Sequence, residues 1–216
     1  MFYEVFKNIN FAVCSYFFPK ESEVKATECD TGWVELYRPN IPIVVDGDTC
    51  LYNLWLCVKC NAGTYPIPFE VKLNCHGPVD NDCLLDVPKV VEEIKKLITD
   101  ANWVDANLGD DCFAGTGPCN PYYPLTFKEL IGHIPVCWKK YNFIDDDNKS
   151  HILYMGCDNM TCITEYRYCW NGSDFEMILM EDPYIQGSGN CIYPEPPDPL
   201  PGLYTGCFYI PGECWP

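Results

Sequence analysis

Sixteen cysteines constrain this chain more than any other feature, because every disulfide ties together two distant points of the backbone. They stand at Cys14, Cys29, Cys50, Cys57, Cys60, Cys75, Cys83, Cys112, Cys119, Cys137, Cys157, Cys162, Cys169, Cys191, Cys207 and Cys214. Roughly one residue in fourteen is then a cysteine, near the level of disulfide scaffolds made for oxidising, extracellular settings. An even count lets every cysteine pair, and spacing leaves the connectivity open. Zinc is the competing use, and structural zinc sites show two CxxC or HxxxH pairs. Only Cys57 and Cys60 have CxxC spacing, and His76, His133 and His151 are the only histidines. In a strand, residues three apart point to opposite faces, so Cys57 and Cys60 face neither a common ion nor each other.

The cysteines also mark a repeat. "TCLYNLWLC" at 49–57 and "TCITEYRYC" at 161–169 share a Cys-x6-Cys frame, and each is followed by an Asn/Gly turn and then by "FEVKL" or "FEMIL". Each copy reads as a β-hairpin, 49–73 and 161–179. Cysteines seven apart in a strand lie on opposite faces, so neither pair closes on itself and each cysteine staples the strand to a different neighbour. The first copy is apolar on both faces and predicts a covered strand; the second carries Glu165 and Arg167 on one face and predicts a wet side.

A formal charge of −17 argues against a nucleic-acid partner, because phosphate binding needs clustered Lys and Arg and only 14 are spread over the chain. No run of about twenty apolar residues is present to span a membrane. The first 18 residues do not form a signal peptide, since Glu4, Lys7, Asn8 and Asn10 interrupt the apolar region, so an export signal is expected to have been removed already, or to lie ahead of this Met. Within that segment, residues 9–18 alternate Ile9, Phe11, Val13 and Phe17 against Ala12, Cys14, Tyr16 and Phe18. A strand apolar on both faces is either the first strand of the core or an arm that completes a neighbour's sheet. We expect the arm.

Short strands are expected at 33–37 and 41–45, and one amphipathic helix over about 87–103, capped by Asp86, with Glu92 and Lys96 as an i,i+4 pair. Thr126 and Glu129 have the spacing of a capping box and predict a second, short helix. The tail "YPEPPDPLPG" (193–202) predicts an extended polyproline strut, ending in a loop closed by Cys207 and Cys214.

Catalytic signatures fail: there is no GxSxG elbow, no HExxH and no Gly-rich phosphate cradle ahead of a helix, and no cofactor is expected. Asp145, Asp146 and Asp147 are the one candidate for calcium, without the EF-hand pattern. Sequons at Asn148, Asn159 and Asn171 crowd around the second hairpin and predict a glycan-covered outer face.

The Cys-x6-Cys strands, the turn in "CWNGSDFEMIL" and the Pro-rich, Cys-bearing tail resemble Cys-rich exported surface proteins of the Bacteroidota and Chlorobi groups. The resemblance covers about a third of the chain and implies export and a structural or adhesive role, in some such proteins as filament subunits; it carries no binding residues. The expected class is a β-rich α+β fold, a disulfide-stapled, sandwich-like antiparallel sheet with one main helix. Residues 1–18 would be an extended arm, 19–192 the globular domain and 193–216 the tail. The expected function is a non-enzymatic subunit of an extracellular filament or surface assembly of identical copies, self-assembling through the N-terminal arm as a donor strand and through the Pro-rich tail. The alternatives are a monomeric secreted module binding carbohydrate or protein through Trp and Tyr of the second hairpin, and a secreted hydrolase.

Overall fold

The computed structural model describes residues 29–60, 68–108, 116–119, 127–145, 148–157, 160–212 and 214. The expected arm, with Ile9, Phe11, Val13, Cys14 and Phe17, lies outside the described residues, as do Cys112, Thr126, Asp146, Asp147 and Asn159.

The chain adopts the expected disulfide-stapled, β-rich α+β class. Ten strands follow in order: β1 Val34–Val45, β2 Asp48–Cys60, β3 Pro68–Pro78, β4 Lys128–Pro135, β5 Cys137–Ile144, β6 Ser150–Gly156, β7 Thr161–Trp170, β8 Phe175–Leu179, β9 Tyr184–Gln186 and β10 Phe208–Tyr209. Two helices, α1 Val87–Ile98 and α2 Ala101–Leu108, separate β3 from β4. All strands belong to one sheet, antiparallel except where β3 and β4 run parallel, so the sheet is mixed.

The layout turns on β3. One of its edges pairs with β2 throughout, while the other pairs with β4 over 68–72 and with β6 at Cys75 and His76. The register against β2 jumps from Leu56↔Leu73 to Trp55↔Cys75, which leaves Asn74 as the extra residue of a bulge. A bulge bends its strand, and here the sheet forks at the bend. One arm continues β4-β7-β8, with β9 also on β7; the other continues β6-β5-β10. The bulge also switches the side-chain alternation. Phe69, Val71 and Leu73 enter the main core with the helices, whereas Cys75 joins a second cluster with Trp55, Tyr141, Leu153 and Met155.

The short strands expected at 33–37 and 41–45 are one strand, β1, broken by an irregularity between Arg38 and Ile41 where Asn40 takes a positive φ of 57°. The helix expected over 87–103 is two helices. Thr99 Oγ1 turns back to donate to the Lys95 carbonyl (2.7 Å), and Asp100 Oδ1 accepts the Asn102 N–H (2.8 Å), so the first helix ends and the second is capped within two residues. Asp86 occupies the N-cap position in extended conformation but makes no side-chain cap bond. On the outer face Lys96 pairs with Glu93 at 2.6 Å. The end of α1 rests on β4, because a Cβ on Gly132 would collide with the Thr99 methyl group.

The helix expected from Thr126 has its start outside the described residues, and the residues it was to hold, Glu129, Leu130 and Ile131, belong to β4 instead. Leu130 and Ile134 point into the core on alternate residues, and the backbone is claimed by β3 on one side and β7 on the other. The terminal loop expected from Cys207 and Cys214 does not close on itself either. Those residues are again seven apart, and they reach different strands, as Cys157–Cys207 and Cys162–Cys214. No described helix is long and apolar enough to cross a membrane.

Candidate functional site: a free sheet edge and a groove beside the tail

Six described disulfides hold the scaffold. In both hairpins the strand cysteines part as their parity requires: Cys50 bonds Cys83 and Cys57 bonds Cys29, while Cys162 bonds Cys214 and Cys169 bonds Cys119. The sixth, Cys137–Cys191, anchors the tail to β5. Cys60 is disulfide-bonded as well, and Cys75 is a buried thiol at the fork.

Besides the three-residue β9, the sheet has three outer edges among the described residues, and they are treated differently. Along β5, the tail lies down as a strap. Gly202 donates its N–H to the Asn142 carbonyl (2.7 Å), Thr205 to the Lys140 carbonyl (3.0 Å), and Tyr204 stacks on Tyr141 with ring centroids 4.4 Å apart. Lys140 Nζ is held beneath the strap by Glu195 (2.6 Å), Asp198 (2.8 Å) and the Pro196 carbonyl (2.9 Å). Burial disfavours its charge, but the hydrogen bonds to the two carboxylates outweigh burial and raise its pKa. Along β1, Pro39, Pro42 and the irregularity at Arg38/Ile41 interrupt the ladder a further strand would need.

The third edge is β8. Met180 donates its N–H to Glu165 and Asn171 donates its N–H to Asp174, so Asp174, Glu176, Ile178 and Met180 turn their backbone toward β7, and Phe175, Met177 and Leu179 turn theirs outward. Asn102 of α2 meets Phe175 on both counts, with Oδ1 accepting its N–H (2.9 Å) and Nδ2 donating to its carbonyl (3.4 Å). Among the described residues nothing pairs with the outward backbone groups of Met177 and Leu179. The side chains there are apolar and exposed: Ile178 54%, Leu179 43% and Met180 40%. No charged or proline residue interrupts the run from Met177 to Met180. Sequence reasoning placed this hairpin at the periphery but did not single out β8 as an edge, since its "FEMIL" is nearly the "FEVKL" of an interior strand.

A groove of about 560 Å³ lies between β6, the segment joining β3 to α1, and Asp198 of the tail. Tyr52 and Tyr154 form part of its wall, and behind them His76 is fully buried, stacked on Tyr154 with centroids 5.2 Å apart and edge-on to Trp138 at 5.0 Å. Neither imidazole nitrogen has a hydrogen-bond partner among the described residues. Burial pushes the His76 pKa down to about 3, so the ring is neutral. Sequence reasoning treated the three histidines as one inventory. The fold separates them: His133 contacts Glu70 (3.1 Å) on the polar face of the sheet, and His151 contacts Asp145 (2.7 Å).

Of the calcium candidates, Asp145 is described, and its carboxylate braces its own turn: Oδ1 accepts the Lys149 N–H (2.8 Å) and Oδ2 faces His151. Of the sequons, Asn148 is exposed in that turn and Asn171 is exposed at the tip of the β7–β8 hairpin. Comparison with family models, with curated proteins and with solved structures found no match to this chain.

Proposed function

We propose that the protein is a non-enzymatic structural subunit of an extracellular filament or surface assembly, and that its copies join by adding a strand at β8. One observation carries this reading: β8 is an apolar edge, open at Met177 and Leu179 among the described residues, in a sheet whose β1 and β5 edges are blunted or covered. An unprotected edge invites pairing with another chain, and proteins that must stay apart interrupt such edges with proline, charge or a covering segment. β1 and β5 have those devices along the strand; on β8 they stop at Glu176 and at Asn102 on Phe175, and the run from Met177 to Met180 has none. The chain also carries a segment suited to the edge, since residues 9–18 are apolar on both faces. In an assembly that arm from one copy would pair with Met177 and Leu179 of the next and cover Ile178, the main chain giving affinity and the alternate side chains giving register.

The disulfides favour an oxidising, extracellular setting, in keeping with the resemblance of the hairpins and tail to exported surface proteins. They also suit a subunit that must stay folded before it assembles. Deleting residues 1–18 tests the reading. The shortened chain should keep its thermal unfolding transition and lose self-association in sedimentation, and a free peptide of residues 2–18 should slow hydrogen exchange at Met177 and Leu179. Unfolding of the shortened chain would instead make residues 9–18 a core strand and remove the arm.

A further inference from the structure

We propose that the groove beside the tail strap binds a neutral saccharide, with the Tyr52 hydroxyl donating to one of its hydroxyl groups. This goes beyond the assembly reading and rests on none of it.

The volume, about 560 Å³, lies within the range of small-molecule sites. Its charge inventory excludes anions. Among the described residues no lysine or arginine lines the groove, and Asp198, the one acidic residue there, is paired with Lys140. Lys140 cannot turn to a ligand, because its three N–H donors are met by Glu195, Asp198 and the Pro196 carbonyl. Burial raises the Tyr52 pKa to about 12, so this wall of the groove is uncharged too. A cation is disfavoured as well: one face of Tyr154 is covered by His76, and Lys140 Nζ already lies 5.9 Å from the Tyr154 ring centroid.

The polar group that points to a ligand is Tyr52. The residue is 3% exposed, and among the described residues its hydroxyl meets only the Cys83 sulfur, at 3.8 Å. That sulfur is committed to the disulfide with Cys50; it carries no proton and is a weak acceptor. A buried hydroxyl without an oxygen or nitrogen partner is costly, and a ligand hydroxyl arriving in the groove would relieve it. Asn81 and Ser150 also line it; the Asn81 amide donates to the Ser150 carbonyl and the Ser150 hydroxyl to Asn142 Oδ1, so what they can offer a ligand is acceptor oxygen, while Leu84, 92% exposed at the rim, offers an apolar surface to the C–H face of a sugar ring. Apolar walls with a few placed polar groups suit a neutral, hydroxyl-rich ligand.

The test is saturation-transfer NMR on the intact, oxidised chain with cellotriose, maltotriose and chitotriose as neutral probes and a sulfated disaccharide as the charged control. At least one neutral trisaccharide should bind and the sulfated one should not. Tyr52→Phe should weaken binding roughly tenfold, the scale of one hydrogen bond. Leu84→Trp alters a fully exposed side chain, leaves the fold intact and should block the groove. Absence of binding by all three probes at millimolar concentration, preference for the sulfated sugar, or binding undiminished by either substitution would overturn the proposal. Both variants should sediment as the parent chain does, so failure here leaves the assembly reading standing.

Discussion

In the first Cys-x6-Cys hairpin, β2 lies between β1 and β3, and β3 is claimed on both edges; in the second, β7 is interior but β8 ends the sheet. The two hairpins share their cysteine frame, their turn chemistry and most of their outgoing strand, yet one is core and the other is surface. The difference is supplied by the surroundings. The edge of β3 away from β2 is taken up by β4 and β6, which arrive from much later in the chain, whereas among the described residues the outer backbone of β8 is met by Asn102 alone, with Ala101 donating to the Met177 sulfur beside it. A hairpin motif therefore specifies a local shape, and its neighbours decide whether that shape supports the core or remains available to a partner.

The sharpest way to break this comparison is to truncate one apolar side chain in each hairpin. Leu56 is fully buried, and Leu56→Ala should cost about 2–5 kcal/mol in denaturant unfolding with the disulfides intact. Ile178→Ala should stay within about 0.5 kcal/mol. Similar losses at both positions would mean that β8 is covered.

Next come the disulfides. Replacing Cys29 and Cys57 together by Ser should cost about 2–4 kcal/mol. The same exchange at Cys119 and Cys169 should cost about 0.5 kcal/mol more, because the loop it closes spans 50 residues rather than 28. Thermal melts of the two double variants would show whether the hairpins are stapled with comparable strength.

A smaller effect isolates the first hairpin. His76 is buried neutral with a lowered pKa, so the unfolded chain takes up the proton first. Its contribution is complete above about pH 6.5 and is lost as pH falls toward 3, by up to about 1.4 kcal/mol per pH unit. His76→Phe should flatten the acid limb of stability and gain about 1–3 kcal/mol at pH 5, since two unpartnered nitrogens are replaced by apolar ring. The smallest expected change is at Ile178→Lys. A charge on the open edge should leave unfolding within about 0.5 kcal/mol and still abolish self-association.

Much of this architecture was legible in the sequence. The alternation around Cys50, Cys57, Cys162 and Cys169 gave both hairpins and the rule that their cysteines part company. The 3.6-residue period located α1, but Thr99-Asp100, a helix stop and start, was read through. β4 was taken for a helix because Thr126 and Glu129 have cap spacing, and a parallel strand buried by neighbours on both sides has no period that separates it from a short apolar helix. The fork at Asn74 depends on strands that arrive more than fifty residues later, so no local pattern announces it. In the tail, composition foretold an extended strap; the parity rule applied to the hairpins would also have separated Cys207 from Cys214. The groove has no sequence signature, since its walls come from β2, β5, β6, the β3–α1 connection and the tail.

The account stands most directly on whether the β8 edge joins copies. Leu179→Pro removes one outward N–H without touching the ladder to β7, which makes it a minimal block of strand addition. Sedimentation velocity of the native and Leu179→Pro chains, run side by side under non-reducing conditions, decides the matter. We predict large assemblies for the native chain and a folded 24.7 kDa particle for the variant. A native chain that remains a 24.7 kDa particle at every concentration, or a variant that assembles as the native chain does, would contradict the account.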